Sequence, residues 1–150
     1  MKIKTTIFVL LLCARVSFTV AQAETGLYFT VPCAKSQVPS SVVLNKSEKV
    51  CTTKQAVLGI NDFEFISEIQ HAHTVVYFEI RLTDKGFRKL SALLSRIPGS
   101  DIALVINKEV VSVIYVKQTE LFPLLRFQSF IDKVNEISRV HMQLMREKSS

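Results

Sequence analysis

The chain has 150 residues, of which 48% are hydrophobic and 21% charged, with a formal net charge of +6. That length suits one domain with a single core. The charge falls short of a concentrated basic surface, so nucleic acid is not an expected partner.

Residues 1–23 read as a cleavable secretory signal peptide. Lys2 and Lys4 form its basic start, residues 7–14 its apolar middle, and Ala21-Gln22-Ala23 a small-residue cleavage site, with Ala21 and Ala23 at the recognised positions. Arg15 stops the apolar run well short of the roughly 20 residues that cross a bilayer. Later segments are no longer, so no stable membrane span is expected after signal removal. Cleavage after Ala23 removes Lys2, Lys4 and Arg15, which takes 19 basic residues to 16 against 13 acidic ones, a net of +3. Cys13 leaves too, and the remaining pair, Cys33 and Cys51, reads as a disulfide with 17 residues between its ends. On a chain-entropy argument it stabilises the fold by about 3 kcal/mol. A periplasmic or secreted location follows as the expectation.

In the mature part, residues 26–31 are rich in β-formers and end at Pro32, which predicts a strand. Residues 34–50 are polar and predict a loop inside the disulfide, with strand-like composition at 42–44, and residues 50–58 suit another short strand. Asn45-Lys46-Ser47 matches a glycosylation sequon, a pattern common by chance. Asn61 and Asp62 precede Phe63 and Ile66 at helical spacing, predicting a short helix over 63–70. Residues 75–82 alternate cleanly between apolar and polar and give the clearest strand. Thr83 then caps a helix whose stripe is Phe87, Leu90, Leu94 and Ile97, stopped by Pro98-Gly99. Residues 101–107 and 109–116 predict a hairpin turning at Asn107-Lys108. A short strand over 124–127 precedes a helix from Ser129, with Phe130, Ile131, Val134, Ile137, His141 and Leu144 on its apolar face. The predicted fold class is α+β: a small antiparallel or mixed sheet with two or three helices on one face, plus a disulfide-closed N-terminal loop. The domain plan is 1–23 signal, 24–55 strand and disulfide-closed loop, and 56–150 α+β domain with an extended C-terminal helix.

Four stretches carry a resemblance. They are residues 56–63 (AVLGINDF), 77–90 (YFEIRLTDKGFRKL), 101–112 (DIALVINKEVVS) and 125–137 (LRFQSFIDKVNEI). In this order and spacing the chain resembles the head subdomain of the first periplasmic domain of SecD, an accessory protein of the Sec translocon. The resemblance covers roughly 80 residues. Departures include Asn107-Lys108 in place of an Asp-Gly turn and the lack of SecD's transmembrane helices, so no proton-driven pump is implied. What it implies is an extracytoplasmic α+β module that contacts other proteins.

No constellation for catalysis stands out, and no catalytic residue, cofactor or metal ligand is assigned. His71 and His73, with Glu68 or Glu79, read as solvated side chains rather than the three or four ligands of a metal site. The serines lack a nucleophile elbow, and His141 reads as a hydrogen-bonded helix residue. Of the phenylalanines at 63, 65, 78, 87, 122, 127 and 130, most fit a core, while Phe65 and Phe122 fit it least and are candidate contact residues. The expected function is an exported, non-enzymatic protein- or peptide-interaction module of the cell envelope, with a link to protein export among its forms. The alternatives are a secreted virulence or defence factor and a small periplasmic enzyme with a site that no motif marks.

Overall fold

The computed structural model describes residues 24–116 and 123–150. Ala21, Ala23 and Phe122 lie outside the described residues. The chain runs β1 (Gly26–Val31), β2 (Ser40–Ser41), β3 (Lys49–Thr52), β4 (Leu58–Gly59), β5 (Phe63–Ile66), β6 (Gln70–Ala72), β7 (Val75–Leu82), α1 (Asp84–Arg96), β8 (Ile102–Ile106), β9 (Glu109–Ile114), β10 (Leu124–Phe130) and α2 (Val134–Lys148).

Among the described residues the fold is therefore mostly β, with 39% of them in strands and two α-helices. This overturns the α+β expectation of one small sheet with a helical layer. Two causes stand out. The segment inside the disulfide is not a plain loop: it contributes β2 and β3 to a sheet in the order β2-β3-β1-β8-β9, with β4 pairing to β1. The expected helix over 63–70 is instead β5 and β6, both antiparallel to β7 in a second sheet that β10 completes on the other side.

The first sheet curls almost shut. Beyond β2 the chain reaches β9, where the Val43 and Leu44 N–H groups donate to the carbonyls of Val110 and Val111 at 2.9 and 3.0 Å. A bulge between Leu104 and Val105 in the β8–β9 ladder helps the sheet bend. Tyr28, Val42, Ala103, Val105 and Val110 fill the inside of this small barrel. The opposite face of the same strands, with Leu27, Phe29, Ile102, Leu104 and Ile106, joins the main core. Hence every residue of β8 is buried, a continuous apolar run where one-sided strands alternate. The Cys33–Cys51 disulfide ties the end of β1 to β3.

In the second sheet Val76, Phe78, Ile80 and Leu82 point into the main core, and Tyr77, Glu79 and Arg81 point outward. Leu125 and Phe127 join them from β10, with Phe78 and Phe127 stacked at 5.5 Å between centroids. Helix α1 starts where predicted, with the Gly86 N–H donating to Thr83 Oγ1 at 3.0 Å, and buries Leu90 and Leu94. Ile97, expected on that apolar stripe, is exposed. Helix α2 buries Ile137, Val140, His141 and Leu144. Its predicted start was too early: β10 continues through Phe130, and a 3-10 turn over Ile131–Lys133 precedes the helix. Phe130 is accordingly 69% exposed, not part of the core.

Candidate functional site

An open groove of about 580 Å3 lies between the two sheets. One wall is the turn that follows β2, from Val42 to Glu48. A second is the later half of β9, with Ser112 and Val113, and Tyr115 just beyond its end. The third is the end of β10, with Gln128, Ser129 and Phe130, backed by Val75 and Lys133. Its size falls within the roughly 300–1,000 Å3 of ordinary ligand sites.

The groove exists because the two sheets end beside each other without pairing. β9 is the last strand of the first sheet, β10 is the outer strand of the second, and among the described residues no ladder joins them. The 43–44 segment covers β9 only as far as Val111. Beyond that point, among the described residues, the outer edge of β9 has no backbone partner, and neither has the side of β10 away from β7. Unpaired strand edges are templates for a further extended chain.

Ser129 lies on the inner face of β10, alternating with Leu125 and Phe127, and is 8% exposed. Its Oγ is the sole buried side-chain polar atom among the described residues without a hydrogen-bond partner. A buried hydroxyl without a partner carries a desolvation cost that a ligand group would relieve.

Charge at the rim is uneven. The Tyr115 hydroxyl donates to Glu48 Oε1, and Asn45 Nδ2 donates to Glu48 Oε2 at 3.3 Å. The hydrogen bond to the Glu48 carboxylate, with lesser contributions from burial and nearby acids, pushes the Tyr115 phenol up to about 12. The Ser47 hydroxyl donates to Asn45 Oδ1 at 2.7 Å, holding this turn together. Lys46 and Lys133 also line the groove, and among the described residues neither forms an ion pair.

The residues singled out in sequence lie elsewhere. Phe65 is 56% exposed on β5, opposite Arg81, on the far side of β7 from β10. His71 on β6 and His73, at a positive φ of 51°, are both exposed. Among the described residues no three His, Cys, Asp or Glu side chains gather as a metal site would need, and no helix is long and apolar enough to cross a membrane. His141 is buried against Phe78 and bonded to a backbone carbonyl. Sequence reasoning missed the groove because its walls come from three distant stretches, and its one local signal was a serine on the otherwise apolar inward face of a strand. No family model, curated protein or solved structure matches the chain, and nothing links it to the SecD head.

Proposed function

We propose that this chain is exported and works outside the cytoplasm as a non-enzymatic module that binds a partner protein. The partner's extended segment lies in the groove between β9 and β10. The observation that carries this reading is the pair of unpaired strand edges flanking a cavity with an unpartnered buried hydroxyl on its wall. Main-chain hydrogen bonds to an added strand supply affinity, and side-chain pockets supply selectivity. The Cys33–Cys51 disulfide supports an oxidising compartment, and the signal-like residues 1–23 support the route there. A link to protein export rests on the sequence resemblance to SecD alone.

The test is peptide panning. The disulfide-oxidised protein is challenged with a displayed library of random 12-residue peptides, and selected peptides are mapped by amide NMR shifts. Shifts gathered at Ser112, Val113, Ser129 and Phe130 support the reading. Binders that map only to other surfaces, or turnover of a peptide, overturn it.

A further inference from the structure

The groove's chemistry narrows what it accepts, and this inference rests on the reading above. We infer that the segment it takes is acidic: a carboxylate of the partner pairs with the ammonium groups of Lys46 and Lys133 while the Ser129 hydroxyl bonds the partner's backbone or that carboxylate.

Three observations support this. Lys46 and Lys133 approach the groove from different walls, one on the turn after β2 and one on the turn before α2, and among the described residues neither has a carboxylate partner. Glu48 is the sole acidic side chain lining the groove, and its two oxygens are already engaged by Tyr115 and Asn45. Both of its partners are neutral donors, so Glu48 keeps its charge, and the two lysines against this one carboxylate leave the lining with a net charge of +1. Ser129 is over nine-tenths buried, is among the residues lining the groove, and its Oγ has no partner among the described residues. A hydroxyl both donates and accepts, so it serves either a carboxylate oxygen or a backbone N–H. The apolar lining of Val42, Leu44, Val75, Val113 and Phe130 would take the side chains that alternate with the acidic one.

The same panning experiment decides the matter. Selected groove-binding peptides should be enriched in Asp and Glu. Replacing the key Glu of a selected peptide by Gln should weaken binding about three- to tenfold, as expected for two exposed ion pairs. The double variant Lys46→Gln/Lys133→Gln should lose the same factor for the Glu peptide and little for the Gln peptide. Raising the salt concentration should shrink the difference. Ser129→Ala should weaken every groove-binding peptide while leaving the unfolding midpoint unchanged or raised, because it removes an unpaired buried hydroxyl. A midpoint lowered by that substitution assigns Ser129 a structural role and overturns its part in recognition. Groove-binding peptides that are neutral or basic, or indifferent to the double variant, overturn the acidic preference and leave the groove reading standing. Peptides that map nowhere near the groove overturn the groove reading itself.

Discussion

His141 Nε2, on α2, donates to the carbonyl oxygen of Ser67 at 2.8 Å across a sequence separation of 74. Ser67 is free to accept because its side chain does part of the ladder's work. The Ser67 N–H donates to the Glu79 carbonyl at 2.8 Å, and the Glu79 N–H donates to Ser67 Oγ at 2.9 Å, not to the Ser67 carbonyl. The break between β5 and β6 thus turns one backbone carbonyl toward the helix. His141→Phe keeps a ring beside Phe78, whose centroid is 5.5 Å from the imidazole, but leaves that carbonyl unpaired. The expected loss is about 1–3 kcal/mol in urea unfolding. Ser67→Ala strands the Glu79 N–H and should cost a similar amount. A change below a few tenths of a kcal/mol in both variants would show that water replaces these bonds.

Tyr115 supplies a pH-dependent prediction. Its phenol is raised from 10.0 to about 12, chiefly by the hydrogen bond to the Glu48 carboxylate. A raised pKa in the folded state means that the pair favours folding fully below pH 10, and that this contribution is lost as pH climbs from 10 through about 12. Phenolate absorbance should show Tyr115 titrating late, and Glu48→Gln should bring its transition back toward 10. Because Tyr115 is 63% exposed, solvent screening keeps the effect on stability small, and the titration is the better readout. Unchanged titration in Glu48→Gln would show that the contact does not persist in solution.

The parts legible in the sequence were those with undisturbed periodicity. Residues 75–82 alternate strictly, Thr83 caps α1, and the hairpin turn falls at Asn107-Lys108. The cysteine pair was legible by count alone. The 63–70 segment misled for a physical reason. The β5–β7 register shifts between Phe63 and Phe65, so the inward residues are Phe63 and Ile66, three apart. A bulged strand thereby imitates the spacing of a helix. At β10 the inward positions are Leu125, Phe127 and Ser129. The polar serine hid the strand's last step, and Phe130 then looked like the first residue of a helical stripe. Closure of the barrel by Val43 and Leu44 on β9 is a contact between distant segments that no local pattern announces. The groove, made from the ends of both sheets, inherits the same illegibility.

Gly26 and Gly59 face each other across the β1–β4 ladder yet should respond oppositely to substitution. A Cβ on Gly26 would lie 2.3 Å from the Leu58 carbonyl oxygen, a backbone atom held by the ladder, and 3.3 Å from the Ala56 Cβ. A Cβ on Gly59 would meet nothing within 4 Å, and its φ of −90° suits any L-residue. Gly26→Ala must push the two strands apart and should cost about 1–3 kcal/mol. Gly59→Ala should be neutral or stabilise by up to about 1 kcal/mol through the unfolded chain. Equal midpoints for both variants in thermal unfolding would mean that β1 and β4 separate at no cost.

The β8–β9 hairpin turns through two left-handed residues, Asn107 at φ 48° and Lys108 at φ 70°. Two successive positive φ values match the twist of the flanking strands, which is why such a turn joins them so tightly. Asn tolerates this region because its short amide bonds locally, whereas a lysine Cβ crowds the following carbonyl at a cost of roughly 1–2 kcal/mol. Lys108 is exposed, so its side chain offers no core packing in return. Lys108→Gly removes the crowding and gives back part of the gain as unfolded-chain entropy. The net expectation is stabilisation by about 0.5–1 kcal/mol in urea unfolding. Lys108→Val, β-branched at the same φ, should destabilise the protein. The groove is lined by β9 from Ser112 onward, away from this turn, so peptide affinity should be the same in the Lys108→Gly variant. A glycine variant no more stable than the parent would show that the strands, not the turn, set the energy of this hairpin.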